Sequence, residues 1–327
     1  VLLALDANMK SVEAAKRAGA QMLVTHHPAF FEGFKTLDER TAHGALAAAI
    51  FRANLLVYSA HTNLDIAGGG VNDCMAGLLG IENTVPLTAS GPRHPLEKLV
   101  IFVPESHLEK VRNAVCEAGA GIIGEYDHCS FRVQGTGGFR PGAKARPHIG
   151  KPGRFEEVRE FRVETVLHPG SRKKVITALR QAHPYEEPAF DLYPVDDGKA
   201  RGCGRIGELK NALSLDALAS LAKKNFKAPC ALVWGNGKKK VKRAAVWSGG
   251  GAPVMAAANA GADVLVAGEF KHSDADIATH RGVGLIALGH GPSEAVVLPE
   301  ISRRLKSGFK KLKITVFNEG HAVFRPV

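Results

Sequence analysis

Two stretches far apart in the chain follow one pattern. Residues 15–24 read Ala-Lys-Arg-Ala-Gly-Ala-Gln-Met-Leu-Val, and residues 257–266 read Ala-Ala-Asn-Ala-Gly-Ala-Asp-Val-Leu-Val. In both, an Ala-rich helix end meets a glycine, Gly19 or Gly261, and passes directly into an aliphatic strand. Such turns are common in α/β proteins, but here the surroundings repeat as well. Expected strands over 1–5, 21–24 and 55–59 alternate with helices over 11–18 and 40–52. Expected strands over 243–247, 263–266 and 284–288 alternate with helices over 253–260 and 274–280. Strands joined through helices need crossover connections, so each series predicts parallel strands covered by helices. The expected fold class is α/β, with duplicated αβ units and mostly parallel sheets.

The region between the two series has a different rhythm. Strands are expected over 99–103, 130–134, 162–167 and 189–194, with helices over 106–118 and 172–182. This βαβ–βαβ order is the ferredoxin-like α+β plan. Gly91-Pro92 and residues 196–207 are expected as linkers. Residues 1–94 and 196–327 would then form one discontinuous α/β domain, with 95–195 inserted into it.

Composition narrows the class of protein. Hydrophobic residues make up 45% and charged residues 23%, the balance of a globular chain rather than a disordered one. No apolar run reaches the ~18–20 residues of a membrane span, so no membrane partner is expected. The five cysteines, Cys74, Cys116, Cys129, Cys203 and Cys230, form no CxxC, which fits free thiols and a cytoplasmic location. The chain opens at Val1 on a strand, and a structured segment ahead of it is expected. The net charge of +11 could suit nucleic acid. The basic runs at 238–243 and 303–313 nevertheless lack interleaved aromatics, aromatic content is 6%, and no nucleic-acid-binding motif is present. Nucleic acid is therefore not the expected partner.

The residues that could do chemistry follow the expected strands. His26-His27-Pro28 comes straight after one. His61-Thr62-Asn63-Leu64-Asp65 and His290-Gly291-Pro292-Ser293-Glu294 leave two others, each as His-x-x-x-acid. Singly, each is commonplace. Ligands of open α/β sheets gather at carboxyl ends of strands, so three such elements together predict one crevice. Imidazole and carboxylate together suit Zn, Fe, Mn or Co better than Ca or Mg. The donors exceed what one tetrahedral ion needs, which points to two metals.

His26-His27-Pro28, His61-Thr62-Asn63-Leu64-Asp65, Gly268-Glu269-Phe270-Lys271-His272 and Gly289-His290-x-x-Ser293-Glu294 resemble the signature of the Ngg1-interacting factor 3-like proteins. These are also known as GTP cyclohydrolase I type 2 homologs. The inserted region resembles the PII-like domain of some bacterial members, through Gly135-Thr136-Gly137-x-Phe139-Arg140-Pro141 and His183-Pro184-Tyr185-Glu186-Glu187-Pro188. The resemblance implies two divalent transition-metal ions per chain, in a toroidal homohexamer whose sites face an internal cavity. It implies that His26 binds one metal with His290, that His27 binds the other with Asp65, and that Glu294 bridges them. His61 matches an extra histidine that ligates or orients a ligand. The chain departs from the family at Gly291-Pro292, between the last histidine and Glu294, and the family's Trp-Asp-Asn-x-Gly-Leu segment is not in the sequence.

The expected function is that of a metal-dependent hydrolase or GTP cyclohydrolase-like enzyme acting on a nucleotide or other phosphorylated small molecule. The ligand set suits hydrolytic attack on a purine C8 or on phosphorus alike. The alternative is a non-catalytic metal-handling or regulatory protein whose insert senses a small ligand. Glu269 and His272 are candidates for acid–base or substrate contact, against second-sphere support and a helix cap. Residues 135–154 hold six glycines, three prolines, no acid, and the cations Arg140, Lys144, Arg146, Lys151 and Arg154. Glycine backbone and positive charge together make this an anion-binding candidate, against a merely solvated connection.

Overall fold

The computed structural model describes residues 1–33, 36–89, 96–196 and 201–318. The chain divides into two compact units, one drawn from residues 1–91 and 200–327, the other from 92–199.

The first unit contains both repeats. The strands Leu2–Ala4, Met22–Thr25 and Leu56–Ser59 pair in that order, in parallel, with Thr315–Val316 added in parallel outside the first. Helices Met9–Arg17 and Ala42–Arg52 make the crossovers. Asn8 caps the first through the Ser11 amide, and Thr41 caps the second through the Gly44 amide. Leu2, Ala4, Val12, Leu23 and Leu46 close the core between sheet and helices.

The second series repeats this order in a larger sheet. Strands Lys240–Trp247, Val264–Ala267 and Gly284–Ala287 are parallel neighbours. Antiparallel strands extend them on both sides, Leu232–Trp234 next to Gly284–Ala287, and Arg205–Ser214 then Ile81–Val85 beyond Lys240–Trp247. Alternate residues feed two cores, Val246, Val264, Val266 and Ile286 on one face and Ala245, Leu265 and Leu285 on the other. A sheet buried on both faces reads as an unbroken aliphatic run, each large side chain contributing ~1.5–3 kcal/mol. The duplicated parallel core is as expected. The antiparallel additions were not: residues 202–207, expected as linker, form the strand Gly202–Cys203 and the start of Arg205–Ser214. The glycines there serve packing rather than a linker; Gly202 and Gly207 admit close backbone neighbours, Thr88 and Glu82, that leave no room for a Cβ. The expected Gly91-Pro92 linker lies outside the described residues.

The second unit is a four-stranded antiparallel sheet in the order Ser130–Phe139, Glu156–Leu167, Leu96–Pro104, Phe190–Val195. Helices Leu108–Glu117 and Arg172–Ala182 pack on one face through Val111, Val115, Val175 and Leu179. This is the topology of the ferredoxin-like plan. Gly135–Phe139 continues a strand and pairs with Glu156–Glu160, so the exposed connection is shorter than the 135–154 segment read from composition. At Gly137 a Cβ would meet the Glu160 carboxylate, which would have to move aside.

Candidate metal centre

Three strand ends of the first unit converge. His26 and His27 follow the strand Met22–Thr25, and both their amides donate to the Leu5 carbonyl at the end of the neighbouring strand, at 3.1 and 2.9 Å. Thr25 Oγ1 donates to the His27 carbonyl at 2.7 Å and closes the turn. His61 sits ahead of the short helix Thr62–Ile66, which carries Asp65. His290 and Glu294 lie one turn apart on the helix His290–Ala295, so both face the same side.

Glu294 is 4% exposed and forms the hub. Its Oε2 lies 3.0 Å from His27 Nε2, and its Oε1 lies 3.2 Å from His290 Nε2 and 3.8 Å from His26 Nε2. Asp65 Oδ1 is 3.9 Å from His26 Nε2. Two groups of donors have ligating atoms within 4.8 Å of one another, His26 with His27 and His61, and His27 with His290 and Glu294. His26 and His290 thus share Glu294 Oε1, while His27 faces Oε2. His26 Nε2 is buried without a hydrogen-bond partner, and Glu294 Oε2, although 3.0 Å from His27 Nε2, makes no well-aligned hydrogen bond. A buried acceptor left unpaired costs about 1–3 kcal/mol, and a cation would satisfy both atoms. The donor set fits a divalent transition metal.

The surrounding hydrogen bonds determine which nitrogen faces the site. His26 Nδ1 donates to the Ala60 carbonyl at 2.8 Å, and His27 Nδ1 donates to Asp6 Oδ1 at 2.7 Å. Both imidazoles thus turn Nε2 inward. Ser248 Oγ donates to Asp65 Oδ1 at 2.7 Å, and buried Asn72 donates to the Asp65 carbonyl and accepts from the Ser248 amide. Ser293 Oγ accepts from the Gly249 amide at 3.0 Å. Asp6, Asn72 and Ser248 belong to no motif, and Ser293 stands in the Gly289-His290-x-x-Ser293-Glu294 signature without an expected role of its own. The one available signal was Ser248-Gly249-Gly250-Gly251, a glycine run straight after an expected strand.

The charges interlock. Burial opposes a proton on His27, but Asp6 and Glu294 outweigh it and push the group up to about 10. Glu294 beside it also raises His290. Burial works to raise the Glu294 carboxyl, yet the three facing imidazoles hold it well below the carboxylate range. Burial and the neighbouring His26 and His27 lower His61. The metal-free site therefore stores protons where cations fit.

A pocket of about 400 Å³ opens beside the cluster, lined by Asp6, Asn8, His27, Pro28, Phe31 and His290. Glu269 stands near, its Oε1 3.5 Å from His290 Nδ1 and its side chain 55% exposed. His272 is exposed at the start of the helix His272–Arg281. Arg140, Lys144, Arg146, Lys151 and Arg154 are exposed on the second unit. A larger cavity of about 830 Å³, with Cys74, Pro292 and Ala295 in its lining, holds no ligating cluster. Burial, with Glu300 and Asp73, pushes the Cys74 thiol up to about 11, which keeps it protonated and unreactive.

The family model for Duf34/NIF3 (NGG1p interacting factor 3) matches residues 1–321. The chain belongs to the Duf34/NIF3 family. Relatives named GTP cyclohydrolase 1 type 2 homolog include one from Halalkalibacterium halodurans, 38% identical over 315 residues, covering 96% of this chain and 84% of the relative. Another, from Bacillus subtilis, is 37% identical over 321 residues and covers 97% and 86%. Among solved structures, a Bacillus cereus protein related to NIF3 superposes with a TM-score of 0.80 at 34% identity, covering all of this chain and 88% of that one. The Staphylococcus aureus protein SA1388, 23% identical with a TM-score of 0.72, shares the fold over all of this chain and 88% of its own. The expected family membership and α/β class are as the sequence indicated. No helix among the described residues is long and apolar enough to cross a membrane.

Proposed function

We propose that this Duf34/NIF3 chain is a metal-dependent hydrolase or GTP cyclohydrolase-like enzyme, with a dinuclear centre acting on a nucleotide or other phosphorylated small molecule. The observation that carries the reading is the buried Glu294 carboxylate facing three imidazole Nε2 atoms, with His26 Nε2 buried and without a hydrogen-bond partner. His26, His27, His290, Asp65 and Glu294 would hold two ions of the Zn, Fe, Mn or Co kind, with His61 as a further or orienting ligand. Bound there, the ions supply Lewis acidity toward a purine or phosphoryl centre.

The protein's own residues do the rest. Asp65 and Glu294 return only part of the charge of two divalent ions, so the loaded pocket stays attractive to an anionic substrate. Asn8, Phe31 and Pro28 line the space beside His27 where such a substrate fits. Glu269, half-exposed at the mouth and close to His290 Nδ1, is placed to carry a proton between substrate and solvent. On the second unit, Arg140, Lys144, Arg146, Lys151 and Arg154 form a cationic loop suited to a separate anionic ligand. The native form is a cytoplasmic homohexamer.

Metal analysis of the purified chain, followed by a nucleotide panel, tests the reading. Two metals per chain are expected, with turnover abolished by Asp65→Ala. Fewer than one metal per chain, insensitive to His26→Ala or His290→Ala, overturns the centre. Full metal with every nucleotide unchanged reassigns the chain to metal handling.

A further inference from the structure

We infer that Asp6 is the positioning residue that sets His27 as a metal ligand, an inference that rests on the metal-centre reading above. Asp6 follows the strand Leu2–Ala4, whose parallel neighbour Met22–Thr25 runs into His26 and His27. The same short segment grips the histidine pair twice. The Leu5 carbonyl accepts both histidine amides, and the next residue's carboxylate accepts His27 Nδ1 at 2.7 Å. Backbone and side chain of 5–6 therefore fix the position of the His27 Cα and the rotation of its ring independently.

The three imidazoles around Glu294 have different Nδ1 partners. His26 has a neutral carbonyl, Ala60 O, at 2.8 Å, and His290 has Glu269 at 3.5 Å, beyond a good hydrogen bond. His27 alone combines a carboxylate partner with a short contact. His27 is also the residue shared by both donor groups, so an error in its ring angle would disturb the whole cluster. A carboxylate on Nδ1 holds the tautomer that leaves the Nε2 lone pair for a cation and raises its basicity. Asp6 lines the pocket without joining either donor group, as expected of a residue acting through His27.

Cobalt(II) titration of the full chain, read by visible absorption with a competing chromogenic chelator, tests this. The unsubstituted chain is expected to take up two cobalt ions. Asp6→Ala should weaken uptake by about 10–100-fold and alter the absorption bands, while Asp6→Asn, keeping an acceptor in place, restores most of the affinity. Metal-free unfolding midpoints should fall only modestly, and less in Asp6→Asn than in Asp6→Ala, because Asp6 also holds the protonated His27 of the metal-free fold. Asp6→Ala binding two cobalt ions with unchanged affinity and spectrum overturns the inference alone. Loss of affinity equal in Asp6→Asn and Asp6→Ala, with metal-free midpoints lowered equally, also overturns it and makes Asp6 structural. An unsubstituted chain that takes up no cobalt overturns the centre and this inference together. If Asp6→Ala does not fold, Asp6→Glu decides, since its carboxylate is displaced by one methylene: weakened binding supports the inference and unchanged binding overturns it.

Discussion

Gly249 runs directly against Glu294, so close that a Cβ at position 249 would overlap Glu294 Oε1 and lie 3.1 Å from His290 Nε2. Its φ of +62° belongs to the left-handed region that side chains avoid. Two independent constraints thus keep this position a glycine, and both serve the hub of the proposed centre.

Gly249→Ala is therefore expected to lose metal while keeping the fold. The backbone strain should lower stability by about 1–2 kcal/mol, and the displaced carboxylate should reduce bound metal by at least half. Urea unfolding of the metal-free protein and elemental analysis of the loaded one check the two parts. Full occupancy would show that Glu294 is not a ligand.

Metal binding should release protons near neutral pH. His27 is pushed up from 6.5 to about 10, so it carries a proton in the metal-free protein at pH 7, and Glu294 shifts His290 in the same direction. The sign follows for stability too. A raised histidine stabilises the metal-free fold fully below its ordinary value near 6.5, and that contribution disappears as pH climbs through about 10. Metal affinity should rise with pH over the same window, because ligands must lose their protons first. Calorimetric titration with zinc in buffers of different ionisation heat measures the released protons, and buffer-independent heats would refute this account.

Ser248→Ala tests the support of Asp65. The hydroxyl donates at 2.7 Å to Asp65 Oδ1, orienting the carboxylate toward His26. Loss of that charge-assisted bond should weaken metal binding about 10–100-fold, with no comparable change in metal-free unfolding. Chelator competition separates this from a general loss of stability, which would appear in the unfolding curve.

Asp73→Ala tests a contact remote from the chemistry. Arg205 is 6% exposed and its guanidinium meets both oxygens of Asp73, alongside the Gly202 and Gly204 carbonyls. Removing the carboxylate leaves a buried cation with only neutral acceptors, a change expected to cost about 3–5 kcal/mol. A shifted urea midpoint without loss of metal stoichiometry is the expected result.

Much of the site could be read from the sequence because its ligands occupy strand ends that periodicity exposes. His26, His27, His61, Asp65, His290 and Glu294 each follow an aliphatic run, and the structure brings them into one cluster. His272 was marked by the same proximity to a strand end, but it opens a helix whose start is exposed. Asp6 escaped because an acid after a strand resembles an ordinary loop start. Its role exists only once the strands Leu2–Ala4 and Met22–Thr25 lie side by side.

The sequence by itself determined the duplicated βαβ order, the family, and which side chains could ligate a metal. Local periodicity and the alternation of glycine stops with aliphatic runs contain the first, and the resemblance of the His-His-Pro and His-x-x-x-acid motifs to a known family contains the rest. Only the tertiary structure decided that His26, His27 and His290 all face Glu294, that Asp6 and Ala60 turn two imidazoles inward, and that Gly249 must lack a side chain. Those outcomes depend on atoms brought within a few ångströms from opposite ends of the chain. Their energies come from burial and hydrogen-bond geometry, which spacing along a sequence does not encode.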